Sequence, residues 1–396
     1  MKAIRSKFPV DRTAKRAALL AEVEKVRDVI AAGSAEADKM RTLPSASVAA
    51  LRETGIIALK TPMVLGGAEA DPITQMDVIE AVSYLDSSAG WWLFVGAATM
   101  GVSGAFLPDA GAEQIYSEDH YPTFCGGGGF VPGLMVPVKG GYRLTGRWSY
   151  GSGIRHAEWI AVPSAIAGSS DPHDLRFCIF PASKAEIIDN WYVMGLQGTG
   201  SCDYAVKELF VPEEFTHRLP GFSEPRRGGQ LYRLGFPAFI ANENAAFAIG
   251  VARRALDEVV ALAITKSRGF VKRVALADRA VFQRAIGEGN LRLRAARALM
   301  VEMYEKAWAT VCAGDSLEPR THAELRAAGS LIIDVAREVT ADVFRYAAGS
   351  ALRSDHVVQK CLRDLQAAST HWVISDTSYE NLGQFMLGLP GADPMN

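Results

Sequence analysis

Residues 146 to 159, "GRWSYGSGIRHAEW", combine three glycines, three hydroxyl side chains, one histidine and two tryptophans. Glycines let a backbone come close to a flat ligand, and the Ser152 hydroxyl can donate or accept a hydrogen bond. The aromatic rings of Trp148 and Tyr150 can wall or stack on such a ligand. The alternative interpretation is a glycine-rich turn whose tryptophans lie in the core. The residue types alone do not distinguish the ligand site from the structural turn.

A second stretch, residues 359 to 372, reads "QKCLRDLQAASTHW". If it is helical, Asp364 and His371 stand at i and i+7, which puts an acid and an imidazole on one face two turns apart. His371 can then act as a general base near pH 7. The alternative is a structural histidine, the commoner role of a single histidine on a helix.

Several common site motifs are missing from the sequence. No GxGxxG follows a strand, and neither a P-loop nor a GxSxG elbow occurs. The "GGGG" at 126 to 129 lacks the lysine or helix start of a phosphate cradle, so we interpret it as a flexible turn. Five scattered cysteines, without a CxxC pair or clustered histidines, predict neither a disulfide framework nor a metal site.

The chain of 396 residues has a formal net charge of −2 and a pI near 6.4. These values give no electrostatic reason to expect nucleic acid or an anionic membrane as a partner. Residues 87 to 108 are uncharged and long enough to span a membrane, but their small residues and lack of a basic flank favour a buried core helix. The first residues do not resemble a secretory signal, which predicts a cytoplasmic protein.

The order of hydrophobic patterns predicts three domains. Alanine-rich helical segments fill the first, and long helical periodicity returns after residue 226. Between them, strand-like alternation around Gly140-Gly141 predicts a hairpin, and further strand-like runs follow. The predicted strands are 158–166, 175–181, 187–194 and 203–211. The predicted domains are 1–117 (helical), 118–225 (β) and 226–396 (helical bundle).

The predicted order of helical, β and helical domains occurs together with three specific stretches. They are "YRLTGRWSYGSGIRHAEWIAV", "WYVMGLQGTGSCDYAVKELFVPEEF" and "CLRDLQAASTHW". Together they resemble the acyl-CoA dehydrogenase fold over nearly the whole chain. More narrowly, the chain resembles the flavin-dependent monooxygenases built on that fold, the oxygenase components of two-component hydroxylases. The resemblance implies an α+β multidomain protein with an N-terminal helical domain, a central β-barrel or sandwich, and a C-terminal four-helix bundle. It also implies a homotetramer.

The resemblance assigns roles to matching positions. Ser152 and His371 match catalytic positions of the monooxygenases, and Arg268 and Gln283 match positions that meet flavin phosphate or adenine, usually across a subunit interface. Arg363 and Asp364 match a structural "RD" pair. The positions that match the flavin-side segments are Trp148, Tyr150, Ser152, Gly198, Thr199 and Ser201.

The implied reaction uses reduced FMN or FAD, supplied by a separate reductase that binds transiently. Reaction with O₂ gives a C4a-hydroperoxyflavin, which hydroxylates a small apolar substrate, expected to be aromatic, in a pocket that must exclude water. One alternative is an acyl-CoA dehydrogenase or oxidase with bound FAD and Glu380 as base, although His371 stands where such enzymes carry their glutamate. A further alternative is a non-catalytic helical scaffold without affinity for flavin.

Overall fold

The computed structural model describes residues 3–118, 120–126, 132–169, 171, 174–220, 223–269 and 271–395. The chain forms two compact units. The first comprises Met1–Gln75, Trp91–Tyr192 and Gln197–Phe236, and the second comprises Met76–Gly90, Val193–Leu196 and Pro237–Asn396. The three-domain boundaries drawn from the sequence stay a prediction.

The N-terminal part is helical. The first helix begins after Asp11, whose carboxylate accepts a hydrogen bond from the Ala14 amide at 2.8 Å, and ends at Arg41 in the left-handed conformation. Buried apolar residues recur along one face of this helix, among them Leu19, Val23 and Ile30. The helices are α1 (Arg12–Met40), α2 (Ser45–Glu53), α3 (Pro72–Leu85), α4 (Ser87–Phe106) and α5 (Asp109–Ile115).

Helix α4 is the uncharged stretch that the sequence singles out. It is long and apolar enough to cross a membrane by length and composition, but 72% of its most apolar window is buried inside the protein. A helix that is apolar all round and buried in this way is typical of a core helix. The side chains of Trp91, Leu93 and Phe94 are all buried.

The first unit contains an eight-stranded mixed sheet in the order β6-β7-β3-β2-β4-β5-β8, with β1 beside β4. β4 pairs in parallel with β1 and β2, and the remaining pairs are antiparallel. The strands are β1 (Phe124–Cys125), β2 (Gly133–Val138), β3 (Gly141–Gly151), β4 (Trp159–Ile166), β5 (Leu175–Pro181), β6 (Glu186–Ile188), β7 (Cys202–Pro212) and β8 (Thr216–Arg218).

The hairpin predicted at Gly140-Gly141 is confirmed. β2 and β3 pair antiparallel from Val138 opposite Gly141 to Leu134 opposite Thr145, and Gly140 turns the chain with φ of 81°. The strand predicted over 187–194 is wrong beyond Ile188. Beyond this point the Asn190 side-chain oxygen accepts a hydrogen bond from the Asp203 amide at 3.0 Å, and residues 189–193 are irregular.

The second unit is dominated by helices after residue 237. α6 packs against α7, α8 and α9, and α8 also contacts α7, α9 and α10. Leu325, Ile332 and Val339, spaced seven apart on α8, are buried as the periodicity predicts. The elements are α6 (Ala238–Thr265), the short pair β9 (Ser267–Arg268) and β10 (Val274–Ala275), α7 (Ala280–Cys312), α8 (Pro319–Ala347), α9 (Val357–Ala368) and α10 (Thr377–Leu387). The predicted helical, β, helical architecture is confirmed.

Candidate functional site

Three hydroxyl side chains form a buried cluster in the first unit. Ser152 follows the end of β3, Thr199 ends a short 3-10 turn at Gln197–Thr199, and Ser201 directly precedes β7. The Ser201 oxygen lies 2.9 Å from the Ser152 oxygen and 2.7 Å from the Thr199 oxygen. The structure therefore brings together three of the side chains that the sequence predicts beside flavin. We call these three residues the hydroxyl cluster.

The backbone around Ser152 fixes this arrangement. The Gly153 amide donates to the Thr199 carbonyl at 2.9 Å, so the two loops are joined directly. Gly153 has φ of 74°, and a Cβ at this position would lie 2.2 Å from the Trp92 ring. Both the conformation and the close approach require glycine. On the other side, Gly126 forms an isolated β-bridge with Ser152.

One hydrogen-bond partner of the hydroxyl cluster was not predicted from the sequence. The indole N–H of Trp91, on α4, donates to the Ser152 oxygen at 3.2 Å. Trp91 is buried, and a buried indole usually donates its N–H to an acceptor. That requirement is the signal that could have directed attention to this tryptophan, because the uncharged helix around it offers few polar partners.

Trp148 lies in the sheet core rather than on a surface. Its ring is 1% exposed and stacks on Tyr204 of β7, its register partner, with 5.6 Å between ring centroids. The Trp148 indole nitrogen and the Tyr204 hydroxyl are both buried without a hydrogen-bond partner among the described residues. A role for Trp148 beside flavin stays a prediction. Gly198 is buried in the same turn as Thr199.

Tyr150, unlike Trp148, lies at the surface. Its side chain is 65% exposed, and its backbone adopts φ of 63°, an unusual conformation for a residue with a side chain. Its ring meets Trp191 edge to face, with centroids 6.3 Å apart. Two aromatic rings of the first unit are therefore held together at the surface.

The remaining predicted residues lie in the second unit. Arg268 is exposed on β9, and Gln283 is exposed in the first turn of α7, where its amide donates to the Ala277 carbonyl at 3.0 Å. Asp364 is fully buried on α9, and Arg363 donates to the Met194 carbonyl at 2.9 Å. These contacts are those of a structural pair.

The helical geometry predicted for His371 is wrong. α9 ends at Ala368, and His371 lies beyond it in an extended conformation before a short turn. The hydroxyls of Ser369 and Thr370 donate to the carbonyls of Gln366 and Ala367, which satisfies these backbone groups at the helix end. His371 and Asp364 therefore do not share one helix face.

Burial lowers the pKa of His371 to about 4. Removing an imidazole from water disfavours its charged form, so the ring is neutral at pH 7. A neutral imidazole can accept a hydrogen bond or a proton, but it is a weaker base than an exposed histidine. Whether His371 is catalytic stays a prediction.

Two further sequence expectations concern loops and metals. Residues 127–131, which hold the rest of the "GGGG" segment, lie outside the described residues. Within the described ranges, no group of three or more histidine, cysteine or acidic side chains is placed to hold a metal ion. Glu380, the base of the dehydrogenase alternative, is exposed in the first turn of α10.

Comparison with known proteins identifies the family of this fold. Two family models match the chain: "Acyl-CoA dehydrogenase, N-terminal domain" over residues 13–115 and "Acyl-CoA dehydrogenase, C-terminal domain" over residues 244–376. An indole-3-acetate monooxygenase from Pseudomonas putida is 30% identical over 390 residues, 97% of each chain. The oxygenase subunit HsaA of a flavin-dependent monooxygenase from Mycobacterium tuberculosis is 26% identical, covering 95% of this chain and 97% of its own.

Among solved structures, XiaF from Streptomyces sp., in complex with FADH2 and glycerol, superimposes with a TM-score of 0.86 at 23% identity. The match covers 96% of this chain and 98% of XiaF. The two family models and the relatives define the class, a flavin enzyme of the acyl-CoA dehydrogenase type. The chain belongs to the flavin-dependent monooxygenases of this family, as an oxygenase component and therefore an oxidoreductase.

Proposed function

We propose that this oxygenase hydroxylates a small aromatic substrate, using O₂ and reduced FMN or FAD that a separate reductase delivers transiently. We further propose that it works as a homotetramer in the cytoplasm, without nucleic acid or membrane as a partner. The hydroxyl cluster carries the proposal. It supplies three buried hydroxyl groups at positions that match the flavin-side segments of the family.

The residues present fit a flavin. The exposed ring of Tyr150, with the half-buried Trp191 beside it, offers aromatic surface to a flat ring. The buried hydroxyl of Ser152 suits the nitrogen- and oxygen-rich edge of such a ring. Tyr150 maintains its exposed position despite a strained backbone, as residues at ligand sites often do.

The chain's own groups have distinct tasks in this proposal. Bound reduced flavin supplies the electrons that activate O₂. Ser152 holds a proton at its Oγ and donates it as a hydrogen bond to the cofactor. Trp148, fully packed on Tyr204, closes the sheet side of the loop to water. His371 is proposed, separately, to accept a hydrogen bond or proton from a substrate hydroxyl through its neutral ring.

The apolar surroundings of Ser152 support an aromatic substrate. Phe124 and Cys125 are buried directly before Gly126, the bridge partner of Ser152. On α4, the rings of Trp91 and Phe94 meet edge to face at 4.9 Å. An apolar and aromatic environment of this kind favours flat apolar molecules over acyl chains bearing charged groups. The name of the Pseudomonas relative, which acts on an indole acid, agrees with this class.

The test compares wild type with Ser152→Ala. Photoreduced FMN and FAD are titrated anaerobically, each complex is mixed with oxygenated buffer, and product and H₂O₂ are quantified with a panel of phenols and indoles. We expect wild type to bind one reduced flavin and to hydroxylate at least one aromatic compound. Ser152→Ala should lose about tenfold or more in product, with more H₂O₂, because it removes one oriented donor.

Ser164→Ala is the matched control, since Ser164 is also fully buried in the same sheet but lies on β4. It should bind reduced flavin and form product as wild type does. Absence of reduced-flavin binding by wild type overturns the proposed function. Unchanged product yield in Ser152→Ala removes Ser152 from the mechanism. Substitution of His371 by Gln tests its role in the same assay, where unchanged turnover would show that it is not required.

A further inference from the structure

The hydrogen bond between Trp91 and Ser152 has only one possible direction. An indole N–H is a donor and cannot accept, so the Ser152 oxygen must accept from Trp91. The ring has little freedom to turn away, because it is 7% exposed and packs edge to face on Phe94. One lone pair of Ser152 is therefore occupied by a fixed donor.

The other contacts within the hydroxyl cluster can run in either direction. Between Ser152 and Ser201, and between Ser201 and Thr199, either oxygen can be the donor. When Ser201 donates to Ser152, both lone pairs of the Ser152 oxygen are filled. Its own proton must then point out of the cluster.

We propose that Trp91 is a positioning residue: its indole N–H occupies one direction around the Ser152 oxygen, so that, with Ser201 donating from a second direction, the Ser152 proton donates to the flavin. This inference rests on the proposed function, in which Ser152 contacts the cofactor. Without the indole donor, the Ser152 hydroxyl can rotate so that its proton points to the direction that the indole N–H had occupied, and the donor that faces the flavin is weakened. Trp91 thus acts through Ser152 and not by touching the reacting atoms.

The experiment is a double-mutant cycle on the Kd of reduced flavin, titrated anaerobically. The four proteins are wild type, Trp91→Phe, Ser152→Ala and the double variant. Phenylalanine keeps an aromatic ring on α4 but removes the N–H. We expect Trp91→Phe to weaken reduced-flavin binding about fivefold when Ser152 is present, the ratio that one neutral hydrogen bond contributes. In the Ser152→Ala background it should cause no further weakening, because the group it positions is absent.

A merely structural role for Trp91 predicts a different result, namely equal weakening in both backgrounds. That result, or no weakening by Trp91→Phe, overturns the inference. Should Trp91→Phe fail to fold, incorporation of benzothienylalanine at position 91 replaces the N–H by sulfur within a ring of nearly the same shape. The same cycle then applies.

Trp159→Phe is the control for Trp91→Phe, because it also removes an indole from the first unit. Trp159 lies on β4 and stacks on Phe215 with centroids 5.7 Å apart. It should bind reduced flavin as wild type does. If Ser152→Ala itself binds reduced flavin as wild type, the proposed role of Ser152 fails. If Ser152→Ala weakens binding but Trp91→Phe does not, only the positioning role of Trp91 fails.

Discussion

Each of the two units buries a polar cluster, and the two clusters differ in charge. The hydroxyl cluster of the first unit (Ser152, Thr199 and Ser201) is neutral. In the second unit, Lys360 and the carboxylates of Asp86 and Asp364 form what we call the ion cluster. The Lys360 ammonium lies 3.0 Å from Asp364 and 3.5 Å from Asp86, and all three side chains are buried.

The ion cluster has donors and acceptors that cannot exchange roles. Asp364 accepts hydrogen bonds from Lys360, from the Ser87 hydroxyl and, at 2.5 Å, from the Leu196 amide. Leu196 needs such support because its φ of 56° is unfavourable for a residue with a side chain. Along the chain, Leu196 directly precedes the turn that carries Thr199. The ion cluster thus fixes one conformation of a strained segment.

A hydroxyl can be donor or acceptor, whereas an ammonium can only donate and a carboxylate can only accept. The hydroxyl cluster can therefore reverse its hydrogen bonds when a ligand or a proton arrives, without separating buried charges. The ion cluster cannot do so, and breaking it leaves charge in a nonpolar environment. This difference predicts that substitutions in the ion cluster mainly reduce stability, whereas those in the hydroxyl cluster mainly alter flavin chemistry.

The largest effect is expected for Lys360→Met. It leaves two buried carboxylates without their lysine and should reduce the free energy of unfolding by about 3–5 kcal/mol, measured by urea denaturation. Lys306→Met is the control, since that lysine is 77% exposed and pairs with Glu302 on the surface, a contact of about 1 kcal/mol or less. Adding Asp364→Asn to Lys360→Met should recover part of the loss by removing one buried charge. A loss no larger than that of the control would contradict the assignment of a structural ion cluster.

A smaller effect is expected on stability in acid. Each unit contains a histidine whose protonation in acid favours the unfolded chain. Burial lowers the pKa of His217, in the first unit, from 6.5 to about 4, as it does for His371 in the second. Below pH 6.5 the unfolded chain binds a proton that the folded protein does not. The contribution of such a histidine to the free energy of unfolding is therefore fully present above pH 6.5 and falls as the pH approaches 4. For His217 the loss is about 3 kcal/mol at most.

His217→Phe tests this acid dependence. The ring of His217 stacks between Phe106 and Phe177, so a phenyl ring fits the same place. Urea unfolding measured from pH 7.5 to pH 4.5 should show a shallower loss of stability for His217→Phe than for wild type. Parallel pH profiles for the two proteins would mean that His217 is not protonated on unfolding in this range.

The elements predicted best from the sequence are those that depend on backbone conformation and on the spacing of apolar residues along the chain. The Gly140 turn follows from the need for positive φ between two alternating strands, and the buried face of α8 follows from its period. The strand predicted over 187–194 is wrong beyond Ile188, because the residues that follow do not pair with β7. Tyr192 is 72% exposed, and the Arg41 guanidinium lies 3.9 Å from its ring centroid. Tyr192 thus contacts the first helix rather than a neighbouring strand.

For the site, the sequence indicated the hydroxyl residues but could not provide their partners. Ser152 and Ser201 are 49 residues apart, and only pairing of β3 with β7 brings them together. Trp91, 61 residues before Ser152, depends on how α4 is buried. His371 failed as a helical residue because the hydroxyls of Ser369 and Thr370 bind the last carbonyls of α9. Periodicity alone does not show that competition.

Of the substitutions in the two buried clusters, Ser201→Ala is expected to change stability least. Ser201 stands in the middle of the hydroxyl cluster, so the substitution removes its contacts with both Ser152 and Thr199. Because no charge is left unpaired, the free energy of unfolding should fall by only about 1–2 kcal/mol. Reduced-flavin binding should nevertheless weaken several-fold, since Ser152 loses the second donor that directs its proton outward, whereas Ser164→Ala should change neither reduced-flavin binding nor product formation. A stability loss as large as that of Lys360→Met, with flavin binding unchanged, would show that the neutral cluster is as structural as the charged one.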